Sequence, residues 1–335
     1  MTGLFFSLLT THYSLLTTHL PSSRAISLWS PLRGLAVVVC MATVAGLGAR
    51  SGWVFDLATG FRLQYLIVLA VLCILFMVGR KGGMMLLCAA FALANLWPVA
   101  AYYMPEPHSG GAGRPLDVLF ASVGAGRAGS DSIVHLVRTS HPGVVAICGL
   151  DGEGVRRLRA VLTEYKYLVA QPRKDPFGVA IFSRFPLGAG RIETIGRSKS
   201  PVAIARCRTP IGEMTFVAAR ALPVRGTATW TERNAQLADL GTLVAAEQGE
   251  VVLLGALELA PWSPFFDDLL ARGRLQDGRM GEGVKPTWPV WMNAAGVPLD
   301  HLLHTSGIVV GRIQTPRVAL ENHRALLVSL RMAGR

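Results

Sequence analysis

Two short segments near the end of this chain carry side chains suited to acid–base chemistry. Asp300 and His301 are adjacent in VPLDHLLH, and a further histidine, His323, follows in ENHR. A histidine works as a general base near neutral pH when a carboxylate holds its ring in place. A buried Asp–His pair is equally a plain structural hydrogen bond, although packing alone explains Asp300 and His301 poorly. Of five cysteines, Cys40, Cys73 and Cys88 sit inside apolar runs, where the thiol behaves as a small hydrophobe. Cys148 and Cys207 lie further on, and a disulfide between them stays open. No CxxC or Cys/His cluster has zinc spacing, and there is no GxSxG elbow, Walker A run or HExxH. GAGRAG at 124–129 is a glycine-rich turn without the acidic residue that a dinucleotide site needs at the end of a second strand.

These residues need a scaffold, and beyond Leu116 the sequence reads as one. DVLFASV (117–123), GVVAIC (143–148), GVAIFS (178–183), PVAIARC (201–207), MTFVAAR (214–220) and EVVLLGA (250–256) are short, apolar, and bounded by Gly or Pro, as strands are. Helical periodicity runs through 130–139, 153–163, 231–247 and 264–272. Strands alternating with helices predict a layered α/β domain over 116–335, and about 220 residues are ample for one substantial core.

The first third differs. Hydrophobic residues make up 51% of the chain and charged ones 16%, too apolar for one ordinary globular domain. Only Asp56 and Glu106 are acidic among residues 1–114, so the net charge of +12 divides into +5 there and +7 beyond. That positive charge is diffuse and mostly Arg. It gives no support to a nucleic-acid partner, while phosphoesters or acidic headgroups remain compatible with it. Apolar runs at 34–49, 63–79 and 83–104 predict three membrane helices in a region 34–104, the first marginal against the roughly 17 to 20 residues a crossing needs. Tyr65, Trp97, Tyr102 and Tyr103 fall near their ends, as interfacial aromatics do. Arg24, Arg33, Arg80 and Lys81 on one side outweigh Arg50 and Arg62, offset by Asp56, on the other. This predicts an integral protein of a bacterial inner membrane or its equivalent, with the C-terminal domain outside the cytoplasm and the lipid bilayer as a partner. Residues 1–33 carry the tandem SLLTTHY-SLLTTHL and are expected to be disordered or to precede the true start. The Pro/Gly-rich stretch 105–115 reads as a linker.

Six blocks, in order, carry a resemblance: FGVAIFSRFPL (177–187), RNAQLADL (233–240), VVLLGALELAPWSPFFDDLL (251–270), PTWP (286–289), PLDHLLHTSG (298–307) and ENHRALLVSL (321–330). Together they resemble the endonuclease/exonuclease/phosphatase superfamily over about 116–333, in the layout of its membrane-anchored bacterial branch. The resemblance implies a two-sheet α/β sandwich, four layers deep, with the site at the top of the sheets. It also implies Mg²⁺- or Mn²⁺-assisted hydrolysis of a phosphoester, which needs carboxylate and amide oxygens to hold the metal and an oriented base.

Most of those implied positions are changed. The amide of the first strand falls on Ser122 and the metal-binding Glu on Gly149. The Asp and Asn of the family's G-D-F-N fall on Ala256 and Glu258, a histidine falls on Arg220, and the Asp before the last histidine falls on Asn322. Asp300 and His323 remain as an implied oriented imidazole. The substitutions predict no metal site and no cofactor. The expected function is that of a catalytically impaired family member, a pseudoenzyme that binds or scaffolds. Arg220, Glu258, His301 and Asn322 would then meet a phosphate-bearing ligand, or Arg220 and Glu258 would simply neutralise each other. An active Mg²⁺- or Mn²⁺-dependent phosphodiesterase with rearranged ligands, drawing on Asp117, Asp151 or Glu153, is the alternative. A structural membrane protein is the second.

Overall fold

A computed structural model describes residues 28–105, 114–123, 127–316 and 322–334. The SLLTTHY duplication, most of the linker, Gly124–Gly126 of the glycine-rich turn and Glu321 lie outside the described residues.

Four helices form the N-terminal bundle: α1 (Trp29–Leu47), α2 (Trp53–Thr59), α3 (Arg62–Val78) and α4 (Gly82–Ala100). α1 starts five residues before the expected 34. Pro31 falls in its first turn, where a missing N–H costs nothing, and Trp29 packs on Phe76 of α3 with ring centroids 5.9 Å apart. The bundle is mostly apolar, and buried Asn95 of α4 donates to Thr43 Oγ1 of α1 at 3.0 Å. α1 and the helix running on to Tyr103 are each long and apolar enough to cross a membrane. The span expected at 63–79 qualifies only as α2 and α3 together, bent by 65°. α2 was not expected, because Gly52, Asp56 and Gly60 interrupt the apolar run that periodicity follows.

From Leu116 onward, two six-stranded mixed sheets pack face to face. Twelve strands are numbered in chain order: β1 (Leu116–Ser122), β2 (Val144–Cys148), β3 (Tyr167–Gln171), β4 (Val179–Ser183), β5 (Arg191–Ile195), β6 (Ser200–Thr209), β7 (Gly212–Arg220), β8 (Glu250–Ala256), β9 (Gln276–Asp277), β10 (Asp300–His304), β11 (Ile308–Gln314) and β12 (Leu326–Met332). Their orders are β11-β12-β1-β2-β4-β3 and β5-β6-β7-β8-β10-β9. Central strands are covered on both faces, so they read as unbroken apolar runs rather than as alternations. Val118, Phe120 and Ala146 meet Phe216, Ala218 and Leu254 between the sheets. The outer faces are closed by α5 (Arg127–Ser140) and α6 (Gly152–Val161) on one side and by α7 (Thr227–Ala245) and α8 (Pro264–Gly273) on the other. This is the four-layered α/β sandwich that the resemblance implied.

Among the described residues, the bundle meets the domain at one end. Arg50 pairs with Asp268 at 2.7 Å, Trp262 Nε1 donates to Pro98 O, and Tyr102 donates to Asp277 at 3.1 Å. The opposite end carries the Arg80–Lys81 turn, where Lys81 lies over the Trp29 ring. Hence the 48–62 connection and the domain occupy the same side of the bundle.

Candidate functional site

The two central parallel pairs, β1 with β2 and β7 with β8, end together at one edge of the sandwich, and β10 begins there. That convergence positions the site. β1 delivers Ser122, β7 delivers Arg220, the turn after β8 delivers Glu258, and the segment before β12 delivers His323. All four line a cleft of about 540 Å³, within the range usual for small-molecule sites.

Asp300 is fully buried and is paired in register with Ala256. Its Oδ2 accepts from His323 Nδ1 at 2.8 Å. Burial works against a charged imidazole at His323, but the adjacent Asp300 carboxylate outweighs it and raises the histidine above its ordinary value. Arg220 donates to Ser122 Oγ at 3.1 Å and approaches Glu258 Oε1 at 3.6 Å. The expected Arg220–Glu258 pair is therefore present but loose. Arg220 Nε, Glu258 Oε1 and Asp300 Oδ1 are buried without a hydrogen-bond partner, and such groups are rare unless something meets them. Burial raises the Glu258 carboxyl, against the pull of Arg220 and His323. Glu258 also has φ 57°, a left-handed conformation that Asn adopts more readily than Glu, in keeping with the Asn that the resemblance assigns there.

Other expected positions are placed as follows. Gly149 has φ 95°, and a Cβ built on it would lie 1.7 Å from Val123 O, so backbone closes the place of the implied Glu. Asn322 is exposed at the rim of the cleft. His301 does not meet the cleft, contrary to the expected ligand contact. It is fully buried against Phe266, and Arg279 donates to its Nδ1 at 2.6 Å while its Nε2 donates to Leu259 O at 2.9 Å. The alternation of a β-strand is the reason: Asp300 and His301 are neighbours and point to opposite faces. Burial and the Arg279 charge hold the His301 ring well below its usual value, hence neutral.

The reserve carboxylates do not gather at the site. Asp151 caps α6 by accepting from Gly154 N, Glu153 pairs with Arg156 and Arg157, and Asp117 accepts from Ser329. Cys148 and Cys207 are both free, and burial pushes the Cys148 thiol up to about 12.

Two contributions to the cleft went unread in the sequence. One wall comes from the bundle, through Leu57, Gly60 and Phe61. Beside it, Asp56 accepts from Arg233, from Trp230 Nε1 at 3.1 Å and from Ser263 Oγ at 2.6 Å. Its solitude as an acid in an apolar region was the available signal.

A divalent ion fits this donor set poorly. Mg²⁺ asks for a near-octahedral shell of hard oxygens with at least one or two carboxylates. Here Asp300 is engaged with His323, Gly149 and Ala256 offer nothing, and a guanidinium stands between Ser122 and Glu258. Among the described residues, no group of three or more His, Cys, Asp or Glu could hold a metal ion.

A two-sheet sandwich with its cleft where the central strands end defines a class of phosphoesterase-like folds. The model of the Endonuclease/Exonuclease/phosphatase family matches residues 116–324, more than half of the chain, and the protein belongs to that family. Among solved structures, it is similar to the endonuclease/exonuclease/phosphatase from Beutenbergia cavernae DSM 12333, with TM-score 0.56 and 15% identity over 66% of this chain and 72% of that one. It is also similar to the family member from Bacteroides vulgatus, with TM-score 0.55 and 12% identity over 66% and 100% of the two chains. The mannosyl-6-phosphatase of Bacteroides thetaiotaomicron VPI-5482 aligns with TM-score 0.52 and 13% identity over 64% and 99%. At such identities the likeness is one of fold. No curated protein matches the chain.

Proposed function

We propose that this protein is a membrane-anchored member of the family that binds a phosphate-bearing ligand without hydrolysing it through a metal centre. The observation that carries this reading is Arg220, whose guanidinium lies between Ser122 and Glu258 while the Val123 carbonyl closes the space at Gly149. A fixed cation there repels Mg²⁺ or Mn²⁺ and supplies charge-assisted donors to phosphate oxygens. His323, raised by the Asp300 carboxylate against its burial, adds a second donor at Nε2 when protonated. The cleft's size suits a small ligand rather than a nucleic-acid strand. Anchoring rests on the apolar helices, and the balance of basic residues supports a domain outside the cytoplasm.

The retained Asp300–His323 pair favours a second reading, an active metal-dependent phosphodiesterase, and one experiment separates the two. Full-length protein in detergent micelles is titrated with Mg²⁺ and Mn²⁺ by calorimetry and assayed on bis-p-nitrophenyl phosphate. No saturable metal uptake and no turnover that depends on His323 are expected. Micromolar metal binding, with turnover abolished by His323→Ala, would overturn the proposal.

A further inference from the structure

The wall of the cleft that comes from the bundle says what kind of ligand would fit. Leu57 lies in the last turn of α2 and Phe61 precedes α3, so both belong to the connection that joins the apolar helices at the domain end of the bundle. Both line the cleft and yet are substantially exposed, at 41% and 37%, and so is Trp288, which also lines it. Apolar surface left open at a cleft mouth marks a contact with something apolar.

The position of this mouth relative to the apolar helices is fixed. Gln64, in the first turn of α3, donates to Ala295 O at 2.7 Å and to Gly296 O at 3.0 Å. The 290–295 loop is thereby held level with the start of an apolar helix. Its Trp291 is 78% exposed there, as an interfacial aromatic would be. The inner end of the cleft is opposite in character, with Arg220, His323 and a nine-tenths buried Glu258 whose Oε1 has no hydrogen bond and only a loose contact with Arg220. A charged end inside and an apolar mouth at the interface have the polarity of an amphiphile.

We infer that the cleft takes the phosphate headgroup of a membrane lipid, with phosphate on Arg220 and His323 and the apolar part against Leu57, Phe61 and Trp288. This rests on the phosphate-binding reading above. The lipid reaches the site sideways from the leaflet below, without leaving the interface completely, and that route distinguishes it from a free phosphate ester. The Asp56–Arg233 pair keeps the wall against the domain, so the slot stays formed in the unliganded protein.

The test uses full-length protein in neutral detergent. Dihexanoyl phosphatidate, below its micellar concentration, and sn-glycerol 3-phosphate are titrated separately by calorimetry. The lipid should bind at least about 30-fold tighter than glycerol 3-phosphate, because two or three apolar groups are buried in addition to the phosphate. Trp288→Ala should weaken the lipid about tenfold and leave glycerol 3-phosphate unchanged, and Leu57→Ser gives the same comparison if that variant fails to fold. Arg220→Gln should remove binding of both, with His323→Gln as its partner variant. Equal affinity for the two probes overturns the lipid inference and leaves the phosphate reading standing. Absence of binding by either overturns both, as does lipid binding that survives Arg220→Gln and His323→Gln.

Discussion

His323 and Asp300 make the one acid–base unit of the cleft, and its state depends on pH in a definite direction. The raised histidine is charged in the folded protein at pH values where the unfolded chain has lost that proton. The pair's contribution is therefore complete below the unfolded value, about 6.5, and disappears as pH rises through the higher folded value. Chemical denaturation at pH 6 and pH 9 should show Asp300→Asn clearly less stable than the parent at the lower pH and closer to it at the higher. A gap that widens with pH would reverse this account. Gly149 supports a second prediction at the same scale. Gly149→Glu, which would restore the family's carboxylate on paper, should cost about 2 kcal/mol or more, because φ 95° and the Val123 carbonyl both oppose a side chain. Thermal unfolding and metal titration of this variant should show a lower midpoint and no gained affinity.

Between elements, the decisive contact is the one that α2 makes with α7 and α8. Asp56 is 4% exposed and Arg233 only 1%, with Trp230 and Ser263 completing the shell. Two buried opposite charges gain little net stability over a hydrophobic pair, but removing one strands the other. Asp56→Asn should therefore destabilise the protein by about 3–5 kcal/mol, and Asp56→Leu with Arg233→Met should recover most of that. Thermal unfolding of the two variants in micelles decides the point, since additive losses would show the pair to be uncoupled. A second buried pair, Arg279 with Asp277 at 2.8 Å, supports Tyr102 at the end of α4. The exposed Arg50–Asp268 bridge lies in water and is screened by salt, so it fixes little.

For the molecule as a whole, the helix ends fix which segments share a side of the bundle, whichever way it faces. The 48–62 connection and the domain share one end of the bundle, and Arg80 with Lys81 occupy the other. With cysteines introduced into a background lacking the native five, Arg225→Cys should react with an impermeant maleimide from one face of the membrane, and Arg80→Cys only from the other. Labelling of both from one face would mean that the bundle lies along the membrane instead of across it.

The layered α/β class, six of the inner strands and the run of apolar helices were legible in the residues alone, because burial on both faces writes continuous apolar stretches into the chain, whereas the interior strands β10 and β12 were not marked as strands. Edge strands such as β3 and β5 were not, since they are half-exposed and their patterns resemble loops. Asp300, His323, Arg220 and Glu258 could be marked as candidates, with the substitutions at Gly149 and Ala256 beside them. Only the tertiary structure turned His301 away from the cleft, brought Arg220 between Ser122 and Glu258, and set Asp56 against a residue 177 positions away. The physical reason is range. Composition and period report what each residue does against its own element, whereas a cleft is a meeting of element ends, and its wall here comes from another part of the molecule altogether.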